Sequence, residues 1–266
     1  FFRTGGETPA AGESADGNLL FLCTDRGIPF GGTKGAAVHV REFLAAQYLA
    51  GRSPVAVVRR RDRKRGQPVP YPVHVLTPDL PASALDTAAA REGWEYAVNP
   101  GFVARLTELH RKSPFSAVYE RYSLFGTAGR DFAAQHGLPH IVEVNAPLVD
   151  EAREHGDLHS VQLATDVAAH VFSGADRVLA VSGAVRDWIL EIAPQTQVEV
   201  LPNGVNTDRI RPVDAGSNWR EHASGGKPDA VVVGFVGRIR PWHGLEQLLD
   251  AFAAAHEQES RLHLCV

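Results

Sequence analysis

ADRVLAVSGAVRDWILEIAPQTQVEVLPNGVN, residues 175–206, is the stretch whose reading decides the fold. Arg177 to Val181 is a short apolar run, the pattern of a strand buried on both faces. Ser182 follows as an N-cap, and Ala184 to Ile192 carries apolar residues at helical spacing. Pro194 stops that helix. Val198 to Leu201 is a second β-branched run, closed by the turn residues Pro202-Asn203-Gly204. The stretch therefore reads as a βαβ unit. Further on, Val231 to Gly237 (VVVGFVG) begins a new strand. Two sheets are expected to meet around residues 205–230, with a ligand in the cleft between them.

Composition bounds the class. The chain has 266 residues, 44% hydrophobic and 22% charged, an ordinary globular balance with enough length for a sizeable core. A net charge of −4 supplies no drive toward nucleic acid. The two cysteines, Cys23 and Cys265, lie far apart in expected strands, which argues against a disulfide framework and for a reducing cytoplasm. No apolar run approaches a membrane span, and residues 1–17 read as a disordered segment rather than a signal peptide. The absence of methionine, the start at Phe1 and the stop after the strand Leu262 to Val266 predict an incomplete second domain. The expected layout is an N-terminal domain over 18–212, a linker over 213–228 and the opening of a second domain over 229–266.

Outward from the deciding stretch, Asn18 to Cys23 reads as a buried strand, and Thr24 to Lys34 as a loop with glycines at 27, 31 and 32. Gly35 to Leu49 reads as a helix with Ala36, Val40, Phe43 and Leu44 toward the sheet. A strand, glycine-rich loop and helix N-terminus form either an anion site or a plain tight turn; the spacing matches neither a P-loop nor GxGxxG. Strands are expected over 55–58, 73–76, 117–119 and 140–144, and helices over 81–93, 99–112, 124–136 and from about 150 to 173. Arg59 to Arg65 (RRRDRKR) sets six basic residues against one acid. It is either a solvated loop or a peripheral patch for the anionic inner membrane face.

Candidate chemistry sits at strand ends. Glu120, with Arg121, ends one strand and reads as a catalytic candidate at the crevice or as half of a local ion pair. Glu143 alternates away from its neighbours and reads as a helix-facing carboxylate. Asn145 stands just past that strand. It donates and accepts hydrogen bonds but cannot act as a general base. His155 and His159 share a helix face, yet no HExxH pattern or third ligand accompanies them, so no metal is expected. With no GxSxG elbow and no base near either cysteine, a hydrolase has no support.

Asp176 to Ser182, Leu201-Pro202-Asn203-Gly204-Val205 and Gly234-Phe235-Val236-Gly237-Arg238 resemble, in order, landmarks of family-4 glycosyltransferases. The resemblance implies an α/β fold of GT-B type: a Rossmann-like parallel-sheet domain on the acceptor side, then a second, here truncated, Rossmann-like domain for the nucleotide sugar. It implies transfer of a sugar from a nucleotide-sugar donor to a hydroxyl of a sugar, lipid-linked or small-molecule acceptor, with retention and without a metal cofactor. Gly31, Gly32, Lys34, Gly237, Arg238 and His243 would then bind the donor phosphates. Relatives usually place a lysine where His243 stands and a histidine where Asn145 stands, so Asn145 would orient the transferred sugar. A non-catalytic binding domain and a nucleotide-sugar epimerase of the same fold are the alternatives; a paired-glutamate motif beyond Val266 would favour the transferase.

Overall fold

The computed structural model describes residues 2–5, 17–62, 68–81, 87–156, 158–212, 218–237, 239 and 243–266. The chain divides into two compact units, Phe1–Val205 and Asn206–Val266. The first runs β1 (Phe2–Gly5), β2 (Asn18–Cys23), α1 (Gly35–Leu49), β3 (Ser53–Val58), β4 (Val73–Pro78), α2 (Ala88–Ala97), α3 (Asn99–Lys112), β5 (Phe115–Arg121), α4 (Ala128–His136), β6 (His140–Val144), α5 (Leu148–Glu154), α6 (Val161–Gly174), β7 (Arg177–Ala180), α7 (Gly183–Ile192) and β8 (Val198–Val200). These eight strands form one sheet in the order β1-β4-β3-β2-β5-β6-β7-β8. All are parallel except β1. Residues 2–5, expected to be disordered, pair antiparallel to β4, from Phe2↔Pro78 to Gly5↔Val75. They cover what would otherwise be an open edge.

Strand alternation sorts the core into layers. In β2, Leu20 and Leu22 pack with Phe102 and Leu106 of α3 and Phe132 of α4, while Phe21 and Cys23 pack with Val40 and Leu44 of α1. Helices on both faces make the strands continuously apolar, as a buried parallel sheet requires. The helix α1 buries Ala37, not the expected Ala36, beside Val40 and Leu44. A third cluster joins Val142, Val144, Val178 and Ala180 to α6 and α7 through Val171, Phe172, Trp188 and Ile189. As the sequence predicts, Ser182 caps α7, accepting a hydrogen bond from Val185 N at 3.3 Å.

Three helix expectations are corrected, the first by a local cap and the other two by caps from distant helices. The helix expected over 81–93 is α2, which starts after Thr87; the Thr87 hydroxyl accepts from Ala90 N at 3.0 Å. The helix expected from 124 begins at Ala128, because Phe125 adopts a left-handed φ of 63° and the distant Asn99 Oδ1 accepts from Thr127 N and Ala128 N. The long helix expected from 150 to 173 breaks into α5 and α6. Gly156 turns at φ 73°, and the Glu92 carboxylate accepts from His159 N and Ser160 N, supplying the cap for α6. Gly137 ends α4 in the left-handed conformation, as expected.

The second unit contains α8 (Trp219–Ala223), β9 (Val231–Gly234), α9 (Leu245–Gln258) and β10 (Leu262–Cys265). Its strands β9 and β10 form their own two-stranded parallel sheet. The strand expected over 231–236 ends at Gly234, and Val236 is fully exposed. Among the described residues, no helix is long and apolar enough to cross a membrane.

Candidate functional site

The chain leaves β2 toward β3 and β4 on one side, then returns to place β5 on the other. The carboxyl ends of β2 and β5 are therefore the switch point, where open α/β sheets hold their ligands. Thr24 and Ser123 follow these two strands, and their buried hydroxyl oxygens lie 2.6 Å apart. Gly126 packs so close that a Cβ there would overlap the Ser123 hydroxyl and crowd that of Thr24. Beside the pair lies a cavity of about 250 Å³, lined among others by Arg26, Arg59, Glu95, Ser123 and Leu148.

The loop after Thr24 is pinned rather than loose. Phe30 N donates to Arg60 O and Asp62 N to Phe30 O, both at 2.8 Å, which ties the loop to the segment after β3. Gly31 has φ 83°, a conformation that costs any other residue strain. A Cβ on Gly32 would stand 3.0 Å from Pro29 O and 3.3 Å from the Ala37 methyl. Lys34 occupies the exposed N-cap of α1 without a capping side chain, and the first turn of α1 holds no acid. Gly31, Gly32 and Lys34 thus gather at one open helix N-terminus, where the dipole favours an anion.

A second group forms at the ends of β5 and β6. Alternation puts Tyr119, Arg121 and Glu143 on the face covered by α1. The Glu143 carboxylate accepts from Tyr119 OH at 2.7 Å and from Arg121 Nη1 at 3.0 Å, and lies 2.7 Å from His39 Nε2 on α1. It also accepts from Asn145 Nδ2. Burial alone would raise the Glu143 pKa; hydrogen bonds and charge from His39, with help from Asn145 and Tyr119, bring it down to about 2. Burial, then Glu143, raises the Tyr119 phenol pKa well above its usual range. Asn145 is half-buried, and its Oδ1 accepts from Asn203 Nδ2 at 3.3 Å. Both ends of its carboxamide are therefore specified. Glu143 does face a helix, as expected, but it also orients Asn145.

Glu120 requires a correction. It points to the opposite face, 1% exposed, with Oε2 2.9 Å from His140 Nε2 and Oε1 accepting from Gly129 N. No substrate reaches a carboxylate sealed between β5, β6 and α4, so Glu120 is structural. Arg121 pairs with Glu143, not with Glu120. The basic run 59–65 is divided. Arg59 is 5% exposed and paired with Glu95, which removes it from any surface patch, and residues 63–65 lie outside the described residues. His159 lies near Glu92 and His170 near Asp131. Among the described residues, no group of three His, Cys, Asp or Glu could hold a metal.

In the second unit, Gly237 stands beside the Phe235 ring, which lies 5.7 Å from that of His243. Gly244, at φ 61°, is the N-cap of α9. Arg238 lies outside the described residues. Sequence reading missed His39 and Arg26. Both stand on polar or amphipathic stretches whose local pattern is the same whether or not they reach a neighbouring strand.

The doubly wound sheet with its switch-point crevice, followed by a second βαβ unit, defines an α/β protein of GT-B type. Sucrose-phosphate synthase (tll1590) of Thermosynechococcus elongatus superposes with a TM-score of 0.65 at 17% identity, over 93% of this chain and 61% of that one. HepE of Anabaena gives 0.61 at 16% identity, over 94% and 62%. The model for Glycosyltransferase Family 4 matches residues 33–209, and the chain belongs to that family. D-inositol 3-phosphate glycosyltransferase of Actinosynnema mirum is 30% identical over 164 residues, 60% of this chain and 39% of the relative. Alpha-maltose-1-phosphate synthase of Mycolicibacterium smegmatis is 29% identical over 171 residues, 61% and 43%. The chain thus spans less than half the length of these relatives.

Proposed function

We propose that this chain serves transfer of a glycosyl group from a nucleotide-sugar donor to a hydroxyl acceptor, with retention of configuration. The bond from the anomeric carbon to the diphosphate oxygen breaks, and one to the acceptor oxygen forms on the same face. The departing phosphate oxygen takes the acceptor's proton, so no protein nucleophile or base is required. The observation that carries the reading is Asn145, held at the carboxyl end of β6 by Glu143 on one side and Asn203 on the other. Such an amide is set to orient a sugar hydroxyl without reorganising, which is how a site gains from fixed dipoles.

Gly31, Gly32 and Lys34 are assigned to the donor phosphates in the first unit, and Gly237, Arg238 and His243 in the second. Cationic side chains and backbone N–H groups carry the diphosphate's charge, so the reading assigns no metal. The 250 Å³ crevice of the first unit is assigned to the acceptor. Support for the donor class comes from the family and from HepE, solved in complex with UDP and glucose. The test is a panel of nucleotide sugars offered to the gene's whole product, with released nucleotide measured and product anomers read by NMR. One donor class should be consumed with retention, and Asn145→Ala should lower turnover about tenfold or more. An inverted product, or no binding of any nucleotide sugar, overturns the reading.

A further inference from the structure

Asn203-Gly204 is the one Asn-Gly pair in the sequence, and the Asn203 side chain bonds directly to Asn145. Both residues are exposed, in a stretch without helix or strand that follows β8 and still belongs to the first unit. Leu201 N, two residues earlier, is held by Ala180 O at 2.8 Å, but among the described residues none accepts a hydrogen bond from Gly204 N. The backbone does not demand glycine here. The φ of Gly204 lies outside the left-handed region, and a Cβ would meet nothing within 4 Å.

An amide nitrogen outside the hydrogen-bonded ladders, with no Cβ beside it, is free to turn onto the side-chain carbonyl carbon of the asparagine before it. The other asparagines lack that freedom. Asn99 precedes Pro100, which has no N–H. Asn18 is buried at the start of β2. Asn206 precedes the branched Thr207, and its Oδ1 is held by Asp208 N and Arg209 N. Asn218 precedes the bulky Trp219.

We propose that Asn203 is a spontaneous modification site, converted through a cyclic imide with Gly204 to aspartate and isoaspartate, and that the conversion unsets the Asn145 carboxamide. Gly204 N loses its proton to base and bonds to Asn203 Cγ; the bond from Cγ to Nδ2 breaks and ammonia leaves. Water then adds to one imide carbonyl. Breaking the bond from Gly204 N to Cγ gives aspartate, and breaking that to the main-chain carbonyl carbon gives isoaspartate. The sum is one water consumed and one ammonia released, with no change in oxidation state.

The effect on Asn145 follows from its two partners. Its Nδ2 donates to Glu143, and its Oδ1 accepts from Asn203 Nδ2 at 3.3 Å. After conversion residue 203 carries an ionised carboxylate, which only accepts. A carboxylate then stands at each end of an amide with one donor end. With Nδ2 on Glu143, Oδ1 faces the new charge; turned over, it faces Glu143. The orientation that the two neighbours specify together is lost. Neither the conversion nor this coupling depends on glycosyl transfer.

The 266-residue chain is held for days at mildly alkaline pH in ¹⁸O-labelled water and followed by peptide mapping. Asn203 should convert about tenfold or more faster than Asn206 and Asn218, the other exposed asparagines, and Gly204→Ala, for which there is room, should slow it by a similar factor. Equal rates at the three asparagines, or Gly204→Ala converting as fast as wild type, would overturn the site. For the coupling, the ¹⁵N-labelled Asn145 carboxamide, assigned with Asn145→Ala, is followed by NMR. Its signals should shift with pH through the ordinary carboxylate range in Asn203→Asp and not in Asn203→Ala. Signals that ignore pH in Asn203→Asp would overturn the coupling.

Discussion

Replacing Glu143 with Gln tests whether the polar group behind Asn145 is a charged, cooperative unit. Glu143 is 7% exposed, and its pKa falls from an ordinary 4.5 to about 2. Because the folded value lies below the unfolded one, the carboxylate stabilises the fold fully above pH 4.5 and loses that contribution as pH falls toward 2. The depression is worth about 3 kcal/mol at neutral pH, at roughly 1.4 kcal/mol per pH unit. About 2 kcal/mol of it is lost by pH 3, where an unfolded glutamate is protonated and the folded one is not. Glu143→Gln also leaves the Arg121 guanidinium, 10% exposed, without its carboxylate. That loss belongs to the same charge-dependent contribution, because a protonated Glu143 in the wild type leaves Arg121 equally unpaired. Urea unfolding followed by near-ultraviolet circular dichroism, at several values from pH 7 to pH 3, measures it. The gap between wild type and variant should be widest at neutral pH and narrow by about 2 kcal/mol at pH 3. Parallel profiles across that window would refute the charged-network account and leave Glu143 as a neutral packing residue.

Two further outcomes are expected. Gly129→Ala should cost about 2–4 kcal/mol of stability in the same unfolding assay, because the new methyl overlaps the Glu120 carboxylate and breaks its contact with His140; unchanged stability would mean that Glu120 is free to move aside. If Arg238 contacts the departing diphosphate, Arg238→Ala in the gene's whole product should reduce turnover about 10²–10³-fold with folding intact, and normal turnover would remove Arg238 from the donor site.

The local pattern of the sequence was enough for the βαβ unit around Ser182, for the strands over 18–23 and 140–144, and for the left-handed stop at Gly137. Each rests on neighbours in the chain: an apolar run, a capping hydroxyl, a residue without Cβ. The family, too, was legible, because its landmarks are short and ordered. The starts of α4 and α6 were not legible. Their caps are Asn99 and Glu92, which come from other helices, so no local pattern announces them.

The site divides in the same way. Sequence alone placed Asn145 at a strand end and excluded it from proton transfer, since an amide does not titrate. It also placed Gly31 and Gly32 between a strand and a helix N-terminus. Only the tertiary structure decided between Glu120 and Glu143. Both are carboxylates near the carboxyl end of a buried strand, and one-residue alternation sends them to opposite faces of the sheet. Glu120 meets His140 and Gly129 under α4, whereas Glu143 meets His39, Arg121 and Asn145 under α1. Likewise, Arg59 reads as one charge in a basic run until β3, α2 and α3 close over it. Burial and partners are properties of elements distant in the chain, and they decide which charges become structure and which remain open to a ligand.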